Sequence, residues 1–149
     1  MSPPTTLALP CLCATLRRAA RALTQLYEET LRPLGLRSSQ FSILQVLWRM
    51  GEMSQGSLGE ILAMDSTSLT RTLAIMRRRG WLAERRGQDR RERLLRIAAP
   101  GEALLHRALP PWEKLQARLR DQLGDAAWQN LFQLNNHITN ITAAQGDSL

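Results

Sequence analysis

Ten arginines fall within residues 71–96: Arg71, Arg77, Arg78, Arg79, Arg85, Arg86, Arg90, Arg91, Arg93 and Arg96. Only Glu84, Asp89 and Glu92 oppose them, so the window carries seven net positive charges. The whole 149-residue chain is also +7, so everything outside the window sums to zero. Cationic charge gathered into one short stretch is the electrostatic footprint of a surface for nucleic acid.

The stretch around it, 54–98, has its own grammar. Ser54 is placed to cap a helix whose buried side is Leu58, Ile61 and Leu62. Met64 and Asp65 break that pattern, and a second helix starts with Asp65 or Ser66 as cap. Its core face is Leu69, Leu73 and Met76, at i, i+4 and i+7. The other faces carry Ser66, Thr67, Thr70, Arg71, Ala74 and Arg77. Small hydroxyls and arginine without bulky apolar groups suit a helix that enters the major groove, although a merely solvated face would look similar. Gly80 stops the helix. Trp81–Ala83 begins a strand, Gly87–Glu92 is a turn, and Arg93–Ile97 alternates as a returning strand. Two strands with a basic tip directly after a helix–turn–helix make a winged helix, and arginines at the tip can reach the adjacent minor groove or its phosphates.

The candidate DNA contacts are therefore Ser54 and Gln55, then Ser66, Thr67, Ser68, Thr70, Arg71 and Arg77, and on the hairpin Arg86, Asp89, Arg90 and Arg91. Asp89 is placed either to hold the Arg91 guanidinium or simply to form the turn.

Helices flank this block. Leu12, Leu16, Ala19, Leu23, Leu26 and Tyr27 recur at spacings of four and three, and Pro33 and Gly35 end that helix. Ser38 or Ser39 would cap the next, which carries Phe41, Leu44, Val46, Leu47 and Trp48, with Trp48 expected in the core. Pro100 opens a later helix, which Pro110 and Pro111 should interrupt and kink. Gly124 and Asp125 lead into a last helix with Trp128, Leu131, Leu134, Ile138 and Ile141 in one stripe. Narrow stripes at both ends suit packing against a second copy of the chain, although a larger core within one chain would look similar. The expected fold is mainly α with a small β hairpin: a winged helix–turn–helix over 38–98, helical dimerisation regions at 11–37 and 99–144, a flexible arm at 1–10 and a flexible tail at 145–149.

No apolar run approaches the roughly 20 residues needed to cross a bilayer, and the first residues lack a signal-peptide pattern, so a soluble cytoplasmic protein is expected. No metal-ligand spacing or phosphate loop occurs, and neither His106 nor His137 sits in a catalytic motif that would make Cys13 a nucleophile. No enzyme, cofactor or metal is expected. Membrane or RNA binding fits poorly, because half the basic stretch is a hairpin and stacking aromatics are missing.

The order of parts resembles the MarR family of bacterial winged-helix regulators, over about Cys11–Ile141. Ser66-Thr67, Thr70-Arg71 and Arg79-Gly80 match its recognition helix, and Asp89, Arg91, Leu95 and Ile97 match its wing. The wing's closing threonine is Ala98 here, which removes a usual helix cap, while Gly101 is retained. The resemblance implies a homodimer on a pseudo-palindromic DNA site, usually a repressor, released by a small aromatic or phenolic ligand. One branch of the family senses hydroperoxides through a cysteine near the start of the first helix. Cys13 stands at about that place, with Cys11 beside it, and Tyr27 matches a tyrosine of that site. Its other two tyrosines are Arg17 and Ser38 here. The ligand or redox candidates are thus Cys11, Cys13, Arg17, Tyr27 and Trp48.

Overall fold

The computed structural model describes residues 11–89 and 91–146. The arm expected at 1–10, Arg90, and residues 147–149 of the expected tail lie outside the described residues. In chain order the elements are α1 (Leu12–Leu31), a 3-10 turn (Arg32–Leu34), α2 (Ser38–Met50), β1 (Met53–Ser54), α3 (Gln55–Leu62) and α4 (Ser66–Arg78). Then come β2 (Leu82–Arg86), β3 (Arg93–Ile97), α5 (Ala99–Leu123) and α6 (Asp125–Gly146). The last helix thus runs to Gly146, into the stretch expected to be a loose tail. The described chain forms two units that divide inside α5, between Trp112 and Glu113.

The first unit has one core. It gathers Phe41, Ile43, Leu44 and Leu47 of α2, Leu58 of α3, Leu69, Leu73 and Met76 of α4, Leu82 and Leu95 of the sheet, and Leu104, Leu105 and Ala108 of α5. Helix α1 contributes only Leu31, whereas Leu12, Leu16 and Leu23 of its stripe are exposed. Trp48 is not a core residue. In the last turn of α2 it stays 41% exposed and lies edge-on to His106, centroids 5.6 Å apart.

The start of α2 also departs from expectation. Arg37 occupies the cap position, and Ser38 is already helical. Gln40 Oε1 accepts the Arg37 N–H (3.0 Å), and a second acceptor is supplied from α1, where Glu28 Oε1 receives both the Ser38 N–H (2.9 Å) and the Ser38 hydroxyl (2.8 Å). A carboxylate at a helix N-terminus satisfies free N–H groups and meets the positive end of the helix dipole.

The hairpin is part of a three-stranded antiparallel sheet in the order β1-β3-β2. Leu82 pairs with Ile97, Glu84 with Leu95 and Arg86 with Arg93; Met53 of β1 pairs with Leu95. Strand β2 runs three residues past Ala83, where its apolar character ends. Helix α5 begins without a hydroxyl cap. It is seated by the Ala98 N–H donating to Trp81 O (2.9 Å) and by Gly101, where an added Cβ would come within 2.2 Å of the same oxygen. Pro110 and Pro111 do not interrupt α5, although each removes one N–H from its ladder.

In the second unit, Gly124 at φ 79° makes the joint between α5 and α6. Arg120 Nε meets Asp125 Oδ1 across it at 2.6 Å. Trp128 and Phe132 stack edge to face at 5.3 Å, while Leu131, Phe132, Leu134 and Ile141 are exposed.

Candidate DNA-binding surface

The geometry of α3 and α4 follows from their caps. Ser54 Oγ accepts the Ser57 N–H at 3.1 Å, and Asp65 Oδ1 accepts the Ser68 N–H at 2.8 Å. That bond is the main cause holding the Asp65 carboxyl below its ordinary value of 3.8. Between the helices, Ala63 takes a left-handed φ of 50°, and the Met64 N–H reaches back to Gly59 O. This is the helix-ending geometry that usually takes glycine. Gln55 Nε2 donates to Thr70 Oγ1 at 2.9 Å, which joins the exposed sides of the two helices.

With Leu69, Leu73 and Met76 inward, the opposite face of α4 is set by the 3.6-residue period. It presents Thr67, Arg71 and Arg78, all exposed, with Ser66, Ser68 and Thr70 exposed beside them. Gly80 at φ 71° closes the helix. Its N–H donates to Arg77 O, and that of Trp81 donates to Met76 O.

The structure divides the arginines into two groups. Arg77 Nε lies 3.0 Å from Glu84 Oε2, and Arg93 Nη1 lies 3.4 Å from Glu84 Oε1. Arg79 donates to Gly35 O (3.2 Å) and stands 5.0 Å over the Trp81 ring. Arg85 holds Glu52 through Nε at 2.8 and 2.9 Å, a bond that raises its pKa further. These four tie the motif together. Of the other described arginines of the window, Arg71, Arg78, Arg86, Arg91 and Arg96 are exposed and form the outward cationic set. Arg77, expected among the DNA contacts, is thus half-buried and engaged with β2. Arg78, next in sequence and seven residues from Arg71, takes the outward place. Its signal was available in that spacing.

At the wing tip the Gly87 N–H donates to Glu92 O (2.8 Å) and the Glu92 N–H to Asp89 O (3.0 Å). Asp89 Oδ1 accepts the backbone N–H of Arg91 at 3.0 Å. Asp89 therefore forms the turn, and the Arg91 side chain extends from it into solvent.

Within one chain the ligand and redox candidates fall in three separate places. Cys11 and Cys13 are exposed at the start of α1, with Arg17 Nη2 3.6 Å from Cys13 Sγ. Tyr27 stands fourteen residues further along the same helix, about 21 Å away at 1.5 Å per residue. Trp48 is at the far end of α2. Tyr27 instead lines an open groove of about 550 Å³ with Leu23, Thr24, Ser38, Ser42 and Met64. Among the described residues no three His, Cys, Asp or Glu side chains group as a metal site, and no helix is long and apolar enough to cross a membrane.

Four similarities bear on this geometry. The sequence model of the MarR family matches residues 36–92. The uncharacterized HTH-type transcriptional regulator YwoH of Bacillus subtilis (strain 168) is 31% identical over 123 residues, 80% of this chain and 89% of that protein. The organic hydroperoxide resistance transcriptional regulator of the same organism is 29% identical over 99 residues, 66% of this chain and 67% of that protein. The crystal structure of the M. tuberculosis transcriptional regulator MosR in complex with DNA aligns at a TM-score of 0.77 and 36% identity, covering 93% of this chain and 99% of that chain.

Proposed function

The chain belongs to the MarR family and is a DNA-binding transcriptional regulator rather than an enzyme; from that premise we propose that it works as a cytoplasmic homodimeric repressor on a pseudo-palindromic operator. The exposed stripe Thr67–Arg71–Arg78 on α4, with Arg86 and Arg91 on the wing, carries the reading. Helix α4 enters the major groove, and the wing tip lies over the neighbouring minor groove or its phosphates. Duplication by a two-fold axis sets two such helices about 34–36 Å apart, one turn of the duplex. The exposed apolar residues of α1 and α6 support the homodimer, because a lone chain leaves them in water. The MosR complex supports duplex DNA as the partner.

Release by a small aromatic or phenolic ligand fits the groove beside Tyr27. It offers apolar walls from Leu23 and Met64 and hydroxyls from Ser38 and Ser42, and Met64 belongs to the turn that leads into α4. The test is a gel-shift titration on the chain's own promoter across salt concentrations, with and without candidate phenols. Tight binding to one short inverted repeat supports the reading, and indifference to sequence rejects it.

One observation favours a second input, oxidation at Cys13. Its thiol is exposed and beside Arg17, and one relative is a hydroperoxide resistance regulator. Cys13→Ser should bind DNA normally under reducing conditions and resist release by an organic hydroperoxide. Release of the variant by peroxide would exclude this cysteine as the sensor.

A further inference from the structure

We infer that Glu84 is a positioning residue for DNA recognition, the joint that fixes the angle of the wing against the recognition helix. The inference rests on DNA binding through α4 and the wing.

Glu84 sits on β2, and its side chain is only 19% exposed. One carboxylate oxygen faces Arg77 of α4 at 3.0 Å, and the other faces Arg93 of β3 at 3.4 Å. The two contacts fall on different elements, so one side chain couples the end of α4 to both strands of the wing. The Arg77 contact is close but not aligned as a hydrogen bond, and Arg77 Nε is otherwise buried without an acceptor. A desolvated guanidinium nitrogen beside one carboxylate has no water to replace that partner, so the pair resists displacement. On the opposite side of β2, Arg85 grips Glu52, which precedes β1. Arg86 and Arg91 project from a strand and turn held on both sides, which sets where their charges meet the duplex.

Glu84 lies within the arginine cluster, and electrostatics alone makes the opposite prediction from positioning. Removing an acid there raises net charge by one, which tightens binding to any DNA. Positioning predicts that sequence discrimination falls instead.

The experiment first selects a duplex from random-sequence DNA with the unaltered protein. It then compares that duplex with a scrambled one of equal length by fluorescence anisotropy over a salt series. For Glu84→Gln the scrambled duplex should bind as well as before or better, while the ratio of selected to scrambled affinity falls about tenfold, the scale of a coupled contact. Arg91→Ala should cost less affinity in the Glu84→Gln background than in the parent. Glu84→Asp keeps the charge and shortens the arm by one methylene. It should lose discrimination too, and it carries the comparison if Glu84→Gln melts early. Equal tightening on both duplexes, equal weakening on both, or an unchanged cost of Arg91→Ala would each overturn the inference. Failure of the parent protein to enrich any sequence would instead sink the DNA-binding reading beneath it.

Discussion

Arg71 stands in the middle of α4 on the face opposite Leu69 and Leu73, where a guanidinium can meet a base edge. Arg71→Ala should weaken binding to the selected duplex by about 1–3 kcal/mol, the scale of one lost specific contact. Unchanged anisotropy titrations would remove α4 as the reading element. Asp65 makes a prediction in pH. Its folded pKa is depressed, so its cap stabilises fully above the unfolded carboxylate value, about pH 4, and the contribution is lost as pH falls through the depressed value. Asp65→Ala should therefore lower the melting temperature at neutral pH, and its deficit against the parent should close in acid. Melting curves at several pH values decide this, and a deficit that persists in acid contradicts the cap. Residue identities at this scale were largely legible: Ser54 and Asp65 cap as their types suggest. The engagement of Arg77 was not. Helical spacing already puts Arg78 on the outward face with Arg71, but the Arg77 contact with Glu84 depends on where β2 lies.

The α3–α4 turn asks a non-glycine residue to adopt a left-handed conformation at Ala63. Ala63→Gly should relieve that strain and stabilise the fold by about 0.5–1 kcal/mol, measured by chemical denaturation. At the start of α5 the sign reverses. Gly101→Ala would drive a Cβ into Trp81 O and should cost about 1–3 kcal/mol in the same assay. A neutral result there would mean that α5 can move away from the wing. Four elements, α3, α4 and the two wing strands, announce themselves by period and punctuation. Strand β1 does not, since two residues cannot display alternation, and only its pairing with Leu94 and Leu95 makes it a strand. Part of the α2 cap was hidden for a related reason, because one of its acceptors, Glu28, lies ten residues back on another helix.

For the whole molecule, α6 leaves Leu131, Phe132, Leu134 and Ile141 in solvent, and α1 leaves Leu12, Leu16 and Leu23. Leu134→Arg should sediment as a monomer, keep its helical circular dichroism and lose the selected duplex. A variant that stays dimeric with full affinity would place the interface elsewhere. Sequence showed these stripes but not their fate, because a period marks a face that wants covering and says nothing about what covers it. These uncovered leucines also carry a dosage consequence. If two copies must meet before either can hold DNA, promoter occupancy at low expression climbs with the square of copy number. Halving the protein in a cell would then cut that occupancy roughly fourfold in that dilute regime, by mass action.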